Sequence, residues 1–231
     1  KHLVYETKQL TMAQLLDALS CDFENCEDIL KLCSEAPKYG NDDARADDLA
    51  ADLFTYIADE IESYRSKFGV MTPGILPVSG NTPFGVEVGA LPSGRRAGKP
   101  LADGVSPNGG TDLNGPSSVL KSVANIPHDR YVQGTLLNMK LAPEMLASEN
   151  GIQQLMAMLK SLCSLGVYHV QFNVVDQKKL IEAQKHPEEY RNLLVRVAGY
   201  TAFFVELGKD VQDDIIARTV QTEDGSCITC G

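Results

Sequence analysis

Apolar side chains recur at helical spacing in five segments of the chain. The longest, residues 44–68, carries Leu49, Leu53, Ile57, Ile61 and Tyr64 three or four residues apart, and Gly69 follows as the expected stop. Side chains at this spacing share one face of an α-helix, so each segment predicts a helix with a buried apolar face. Four other helices are predicted. The first covers residues 11–19, starts with the capping pair Thr11 and Gln14, and has Leu15, Leu16 and Leu19 inward; the second surrounds Leu30 and Cys33 and breaks at Pro37. The third covers residues 150–165 before Gly166 and has Ile152, Leu155, Met156, Leu159 and Leu162 inward, and the fourth covers residues 209–220 and has Val211, Ile215 and Ile216 inward.

A pattern with period two marks residues 167–176. Its polar members are His169, Gln171 and Asn173, and apolar residues lie between them. Alternate side chains of a β-strand point to opposite faces, so this strand has one apolar face and one polar, uncharged face. That arrangement fits a barrel wall with a functional lumen and equally fits a half-exposed strand. Leu136–Lys140 is also predicted to be extended.

The Pro- and Gly-rich residues 70–127 are predicted to form short strands joined by ordered loops. Within them, Gly94–Pro100 approaches the phosphate-binding P-loop motif, but it has three residues between its glycines instead of four, and Pro100 stands where Ser or Thr should hold magnesium. Its cations Arg95, Arg96 and Lys99 are therefore interpreted as solvated or paired with carboxylates. Dinucleotide motifs and paired histidines are also absent from the sequence, so we expect neither a metal nor a permanently bound cofactor.

The size, hydrophobic content and net charge of the chain limit the kinds of partner that it can bind. The chain has 231 residues, 43% of them hydrophobic, and a formal net charge of −10 at pH 7, which suits a globular protein of one large or two small domains. Nucleic acids and anionic membrane surfaces both require a basic footprint, so neither is expected as a partner. No apolar run approaches the roughly 20 residues that cross a bilayer.

Six cysteines lie at positions 21, 26, 33, 163, 227 and 230. No secretory signal precedes them, so they are expected to be reduced. Cys163 lies in an apolar helical stretch and is predicted to be a buried small hydrophobe. Cys227 and Cys230 have the CxxC spacing of redox and metal sites, but a second such pair is lacking, and their role stays open.

Gly199 is the strongest candidate for chemistry. Glycine alone carries two hydrogens on Cα, and removing one leaves a radical that spreads into both flanking peptide groups. Such a radical has to be shielded from water and oxygen, in a loop that apolar neighbours hold. The residues alone favour a simpler interpretation, in which Gly199 is a turn glycine between a strand and a helix.

Four blocks of sequence, in order along the chain, change that interpretation. They are Pro37–Asp43, Gly89–Gly104, His169–Val174, and Val195–Tyr200 with Asp214–Thr219 some twenty residues later. Together they resemble the C-terminal part of the glycyl radical enzymes, over about residues 37–219. Each block alone is a weak signal, but their conjunction is highly specific.

The resemblance implies an α/β fold that is the C-terminal part of a ten-stranded α/β barrel, with helices outside and the radical loop inserted in the lumen. It implies that residues 1–110 end the barrel domain and that residues 111–231 form the glycine radical domain. The radical residue would be Gly199. Arg196, Val197, Ala198 and Tyr200 would support the loop that carries it. Ile75, Leu76 and Val78 would belong to a strand that lines the substrate pocket.

The resemblance also implies partners. In this family an activating enzyme, which uses an iron–sulfur cluster and S-adenosylmethionine, removes a hydrogen from the glycine matched here by Gly199. The radical then passes to a cysteine on an opposing loop, and the thiyl radical abstracts hydrogen from a small-molecule substrate. We therefore expect a glycyl radical modification, an activating partner, a homodimer for the full-length protein, and an anaerobic cytoplasmic setting.

The family's catalytic cysteine lies upstream of the first matching block, in a Gly-Cys-x-Glu context that none of the six cysteines shares. Because the chain begins with Lys1 instead of Met, it is expected to be a piece of a longer protein whose N-terminal half carries that cysteine. The piece alone is expected to be inactive.

Gly134–Lys140 resembles the dehydratase and lyase branch of the family more than pyruvate formate-lyase. Dehydration or cleavage of a C–C or C–N bond is therefore the favoured reaction, and formate C-acetyltransferase activity is the alternative. Two further interpretations stay open: a non-catalytic spare-part radical domain that repairs an oxygen-damaged enzyme, and a fold of this family that has lost radical chemistry.

Overall fold

The computed structural model describes residues 1–76 and 78–221, and the backbone of Cys227–Ile228. The chain divides into two compact units. One comprises Lys1–Lys38 and Gly80–Leu101, and the other comprises Tyr39–Ser79 and the residues from Ala102 onward. The predicted domain boundary after residue 110 stays a prediction.

The described residues form helices and strands in the following order. The α-helices are α1 (Met12–Ser20), α2 (Glu27–Glu35), α3 (Ala44–Ser63), α4 (Asn81–Glu87), α5 (Pro116–Ala124), α6 (Pro143–Ala147), α7 (Glu149–Leu165), α8 (Gln177–Lys185) and α9 (Lys209–Ala217). The strands are β1 (Arg65–Ser66), β2 (Gly69–Val70), β3 (Leu136–Leu141), β4 (His169–Val174), β5 (Leu194–Arg196), β6 (Thr201–Phe203), β7 (Val220–Gln221) and β8 (Cys227–Ile228). A π-helical turn (His2–Glu6) and three 3₁₀ turns (His128–Arg130, Pro187–Glu189 and Phe204–Glu206) complete the set.

The first unit packs α1 and α2 around a small core. The predicted start of α1 is confirmed: the Gln14 N–H donates to Thr11 Oγ1 at 3.2 Å, and the Thr11 N–H donates to Gln14 Oε1 at 2.9 Å. This reciprocal pair satisfies two backbone donors that the helix start would leave free. The buried core residues are Leu3, Leu10, Leu15, Ala18, Phe23 and Cys33. Leu16, which was predicted to face inward, is exposed.

Arg95 organises the loop that follows α4. Its guanidinium is buried, and it donates to the main-chain carbonyls of Gly85, Val88, Gly89, Lys99 and Pro100. The interpretation of this cation as solvated or paired with a carboxylate was wrong. Carbonyls in an irregular loop lack ladder partners, and a five-donor guanidinium can satisfy several of them at once.

The second unit is built on a four-stranded sheet in the order β4-β3-β7-β8. β3 lies parallel to β4, in register from Leu136 opposite His169 to Leu141 opposite Val174, and also parallel to β7, while β8 is antiparallel to β7. Helices lie between the parallel strands in the chain, so the α/β class and both predicted strands are confirmed.

The sheet separates two apolar clusters. Leu137, Met139 and Leu141 point from β3 towards α5 and α7. Their cluster contains Val105, Val119, Leu120, Val123, Ile126, Met145, Met158, Leu162 and Val167 as well. The second cluster joins α8, α9 and the β5–β6 hairpin through Val175, Leu180, Ala183, Val195, Val197, Phe204, Ile215 and Ile216. The predicted inward face of α9 is thus confirmed.

Two predicted helices differ from the expectation in what they bury. α3 ends at Ser63 because Arg65–Val70 turn back as the β1–β2 hairpin, so Gly69 lies in β2 and does not cap a helix. The predicted inward residues Leu49, Leu53 and Tyr64 are exposed. On α7, which begins and ends as predicted, Ile152, Met156 and Leu159 are exposed, and so is Cys163. Periodicity identifies an apolar face but not the element that covers it.

Residues 70–127 contain less strand than predicted. Among the described ones, strand pairing is confined to β2 and to a single bridge between Ile75 and Thr135. The rest forms α4, α5 and ordered loops. Pro116 stands in the first turn of α5, where its missing N–H is harmless. None of the described helices is long and apolar enough to cross a membrane.

Candidate functional site

Gly199 lies at the tip of a β-hairpin. Leu194 pairs with Phe203 and Arg196 with Thr201, and the loop 197–200 joins the two strands. The loop closes with a hydrogen bond from the Val197 N–H to the Tyr200 carbonyl, 2.9 Å long. Gly199 has φ = +82°, a conformation that favours glycine. The glycine therefore joins two strands, whereas the simpler interpretation placed it between a strand and a helix.

Apolar packing holds the loop next to Gly199. Val197 and Ala198 are buried, and Val197 belongs to the cluster beneath α8 and α9. Arg196 has an exposed side chain whose Nη1 donates to Thr201 Oγ1 at 2.8 Å, across the hairpin. Tyr200 is exposed. The two apolar neighbours on the N-terminal side of Gly199 are therefore buried, and their role in supporting a radical loop stays a prediction.

Gly199 itself is exposed. A Cβ built on its Cα would meet no heavy atom of the described residues within 4 Å. The shielding that a stored radical requires is therefore not supplied by the described part of this chain. One Cα–H bond points into open space.

The polar face of β4 contacts this hairpin. The Gly199 N–H donates to Gln171 Oε1 at 2.9 Å, and Asn173 Nδ2 donates to the Arg196 carbonyl at 3.0 Å. Both amide side chains are buried. The polar alternation that the sequence left undecided thus provides the anchors of the glycine loop.

Gln171 begins a chain of hydrogen bonds that returns to the loop. Its Nε2 donates to Asn138 Oδ1 at 2.6 Å, and Asn138 Nδ2 donates to Asp103 Oδ2. Arg218 Nη2 lies 3.4 Å from the same carboxylate oxygen, and Arg218 Nη1 donates to the Val197 carbonyl at 2.8 Å. The loop is thus held at residue 199 and at residue 197 by the two ends of one network.

Asp103 is the electrostatic centre of this network. The pKa of its carboxyl is raised to about 6. Burial is the largest cause of the rise, and the nearby Asp214 adds to it, while Arg218 and the hydrogen bond from Asn138 oppose it. Its second oxygen, Oδ1, is buried and has no hydrogen-bond partner among the described residues. Arg218 also pairs with Asp214 at 2.9 Å, so two carboxylates share one guanidinium. The carboxyl of Asp103 can therefore change its protonation state close to neutral pH.

Lys140 fixes the element that leads to Arg218. Its buried Nζ donates to the carbonyls of Ile216, Arg218 and Ile215, at 3.0, 3.2 and 3.3 Å. These carbonyls belong to the end of α9, where backbone acceptors have no helical partner and a cation is favourable. The β3 strand thus holds the helix end from which Arg218 reaches the loop.

Two of the three residues predicted to line a substrate pocket, Ile75 and Leu76, lie beside the residues that lead into β3. The Ile75 N–H donates to the Gly134 carbonyl at 2.8 Å, and the Leu136 N–H donates to the Ile75 carbonyl at 3.3 Å. Ile75 is half-buried, and Leu76 and Val78 are exposed. Pro77, between them, lies outside the described residues.

Possible metal ligands are sparse in the part of the chain that the structure describes. His186, Glu188 and Glu189 have ligand atoms within 4.8 Å of one another, but all three are exposed, which is common for acidic surface groups without an ion. The side chains of Cys227 and Cys230 lie outside the described residues, so the role of that pair stays open.

Sequence reasoning gave no role to Gln171, Asn138, Asp103 or Arg218. Asp103 and Arg218 lie inside the sequence blocks that carry the resemblance, and Gln171 lies on the polar face of the predicted strand. The signal was therefore present in the sequence. What linked these residues to Gly199 was the pairing of β3 with β4, which brings Asn138 opposite Gln171.

Comparison with known proteins gives two family matches. The model described as "Glycine radical" matches residues 101–205, and the model described as "Pyruvate formate lyase-like" matches residues 1–85. The first of these ranges contains Gly199 and the residues around it.

Individual relatives agree with these matches. The chain is 42% identical to the isethionate sulfite-lyase of Nitratidesulfovibrio vulgaris, over 95% of this chain and 27% of that protein. It is 40% identical to the trans-4-hydroxy-L-proline dehydratase of Clostridioides difficile, over 96% of this chain and 28% of that protein. The chain thus spans little more than a quarter of the length of these relatives.

Solved structures are similar throughout this chain. The B12-independent glycerol dehydratase of Clostridium butyricum superposes with a TM-score of 0.91 and 42% identity, over 95% of this chain and 28% of that one. The Roseburia inulinivorans protein whose structure concerns 1,2-propanediol dehydration gives a TM-score of 0.92 and 41% identity, over 96% of this chain and 29% of that one.

Proposed function

We propose, from the premise that the chain belongs to the glycyl radical enzyme family, that Gly199 is the residue that stores the unpaired electron. The glycine radical match implies a glycyl radical modification. The observation that carries the assignment is the geometry of the hairpin tip. The N–H of Gly199 is bound to the sheet, while one Cα–H direction is open.

This geometry suits the removal and later return of a hydrogen atom. The partner is an activating enzyme that uses an iron–sulfur cluster and S-adenosylmethionine, and it requires access to a glycine Cα. The apolar contacts of Val197 and Ala198 and the polar anchors keep the loop in one conformation while its tip stays accessible. Arg196 and Tyr200 flank the tip and complete its support.

The reaction that we propose for the complete enzyme is dehydration or lyase cleavage of a small molecule, started by a thiyl radical. Support comes from the relatives, which include a sulfite-lyase and dehydratases. Formate C-acetyltransferase activity is the weaker alternative. Ile75, Leu76 and Val78 are proposed to contribute to the substrate pocket.

The remaining parts of the machinery lie outside this chain in the proposal. Because the chain spans only 27% of the sulfite-lyase, the thiyl cysteine is assigned to an N-terminal part, and this chain alone is inactive. The covering that Gly199 lacks here comes from that part as well. The complete enzyme is proposed to be a homodimer in the anaerobic cytoplasm, since oxygen destroys carbon-centred radicals.

The test is electron paramagnetic resonance of the complete enzyme after anaerobic incubation with its activating enzyme. The wild type should show the doublet of a glycyl radical, and deuteration of glycine at Cα should collapse it. Gly199→Ala should show no doublet. Gly166→Ala is the matched control, because Gly166 also has a positive φ (+73°) and open space at its Cβ position. A doublet that persists in Gly199→Ala would contradict the proposal.

A further inference from the structure

We infer that Gln171 is a positioning residue for the glycyl radical, and that it fixes the plane of the peptide group between Ala198 and Gly199. This inference deepens the proposed function and depends on it. It is drawn from the hydrogen bond between the Gly199 N–H and Gln171 Oε1, which ties the glycine's own peptide to the sheet.

The orientation of that peptide group matters to a glycyl radical. The spin on Cα spreads into the two flanking peptide groups only when its p orbital is parallel to their π systems. Each peptide group is planar, so a rotation about the N–Cα bond turns the whole group out of alignment. A hydrogen bond on the Gly199 N–H opposes that rotation directly. An anchor on a neighbouring residue restrains it much less.

The network also dictates which end of the Gln171 amide faces Gly199. A backbone N–H can only donate, so it requires the oxygen of Gln171. The amide nitrogen then donates to Asn138 Oδ1, and the Asn138 nitrogen donates to the carboxylate of Asp103, which accepts. With a donor fixed at one end and a charged acceptor at the other, both amides have one favourable orientation.

Burial strengthens this arrangement. Gln171 and Asp103 are 7% exposed, so little water competes for their hydrogen bonds. In such surroundings each bond is stronger, and reversing one amide leaves buried groups unpaired. Arg218 balances the charge of Asp103, and Asp214 shares that guanidinium. A rigid polar chain therefore reaches from the interior of the unit to the exposed tip.

Asn173 provides a comparison within the same strand. It is also a buried amide on the polar face of β4, but its Nδ2 donates to the Arg196 carbonyl, three residues before the glycine. Asn173 thus anchors the hairpin without touching the peptide groups of Gly199. A purely structural role for these amides predicts similar effects from both, whereas positioning predicts a spectroscopic effect from Gln171 alone.

The experiment compares Gln171→Met with Asn173→Leu in the complete enzyme. Each substitution keeps the approximate shape of the side chain and removes its hydrogen bonds. After anaerobic activation, we measure spins per protein, the splitting of the Gly199 doublet and the decay of the radical. Gln171→Met should change the splitting and speed the decay by about 3- to 10-fold, the range expected for one lost buried hydrogen bond. Asn173→Leu should keep the wild-type splitting.

The outcomes separate this inference from the proposed function. If the wild type forms no glycyl doublet, the assignment of Gly199 itself fails. If the wild type forms it and Gln171→Met retains the same splitting and decay, only the positioning role fails. An equal change of splitting in Asn173→Leu would also overturn the positioning role, because it would indicate a general loosening of the hairpin.

A measurement on the wild type covers the case in which Gln171→Met does not fold. The exchangeable amide proton of Gly199 couples to the spin, and electron–nuclear double resonance in H₂O and D₂O isolates it. A held peptide plane should give one narrow coupling. A broad spread of couplings would overturn the inference. Gln171→Asn, one methylene shorter, serves as a second variant and should shift the splitting in the same direction as Gln171→Met.

Discussion

Two glycines with positive φ, in the same unit, lie in opposite surroundings. Gly199 has open space at its Cβ position, whereas a Cβ on Gly104 would lie 2.1 Å from the Leu136 carbonyl oxygen. Gly104 lets the loop that carries Asp103 approach β3, and the Val105 N–H donates to that same carbonyl at 2.9 Å. As far as packing is concerned, Gly104 is therefore required for a close approach, whereas Gly199 is favoured by its backbone conformation.

We predict that Gly199→Ala lowers the free energy of unfolding by about 1–2 kcal/mol, the strain of a left-handed conformation with a Cβ. Gly104→Ala should lower it by about 3 kcal/mol or more, because overpacking against the backbone adds to the same strain. Urea unfolding of the two variants measures the difference. Equal losses would show that the approach of Gly104 to β3 is not a tight one.

Asp103 gives a prediction for pH. The pKa of its carboxyl is raised from 3.8 to about 6 in the folded chain. Between these two pH values the carboxyl is therefore protonated in the folded state and ionised in the unfolded state. The stabilisation from this group is complete below about pH 4 and is lost as the pH rises towards 6. The loss amounts to about 2–3 kcal/mol.

Asp103→Asn, which stays neutral, isolates that contribution. Relative to the wild type, the variant should gain about 2–3 kcal/mol of unfolding free energy between pH 4 and pH 7. Urea unfolding across this range provides the measurement. Parallel pH curves for the two proteins would contradict the raised pKa.

At the level of residues, the sequence singled out Gly199 and its neighbours in the loop, but not the distant side chains that anchor the loop. A conjunction of sequence blocks marked Gly199 as the residue that would hold a radical. Asn138, Asp103 and Arg218 are ordinary polar residues that lie 35 or more positions apart along the chain. Their shared role follows from strand pairing, which hydrophobic patterns do not specify.

At the scale of elements, the two faces of β3 have separate roles. Leu137, Met139 and Leu141 face the apolar cluster, while Asn138 and Lys140, on the opposite face, hold the glycine loop and the end of α9. The extended conformation of Leu136–Lys140 was predicted from the sequence. The sequence could not show which face of β3 is buried, because both faces of this parallel strand are covered within its own unit.

We predict that Lys140→Met destabilises the chain by about 2–4 kcal/mol, because buried carbonyls at the end of α9 lose their donor. Hydrogen exchange should quicken at residues 214–218. Lys179→Met, at an exposed position on α8, is the control and should stay within about 0.5 kcal/mol of the wild type. An equal effect of the two substitutions would show that Lys140 does not hold the helix end.

The helix faces illustrate where patterns fail. α7 and the start of α3 were placed correctly, but several apolar residues of both helices are exposed, because periodicity only says that one side of a helix is apolar. The burial of that side depends on a second element. The chain spans 27% of the sulfite-lyase, so much of what packs in such a relative has no counterpart here.

At the scale of the whole chain, the apolar surface of residues 49–71 stands out. Leu49, Leu53, Tyr56, Tyr64, Phe68, Val70 and Met71 are all exposed, Phe68 by 89%. Apolar side chains concentrated on a surface in this way indicate contact with another protein surface. We expect the rest of the complete enzyme to cover them.

We predict that this chain, expressed alone, binds a hydrophobic dye such as ANS and self-associates at micromolar concentration. Leu53→Glu should reduce both effects, and the same change should destabilise the complete enzyme by about 2 kcal/mol or more, since it buries a charge. Dye fluorescence and light scattering test the first part, and thermal unfolding tests the second. Thr55→Glu, a polar exposed neighbour on α3, is the control.

The hydrogen bonds that connect the glycine loop to the sheet and to Arg218, and the network behind them, join residues that are distant in the chain. Val197 and Arg218 are 21 positions apart, Gly199 and Gln171 are 28 apart, and Asn138 and Asp103 are 35 apart. Contacts of this kind form late during folding, because each must close a long loop first. A newly synthesised chain therefore presents its glycine in the native geometry only once the sheet has been assembled. We therefore expect the modification proposed for Gly199 to require a molecule whose sheet has been assembled.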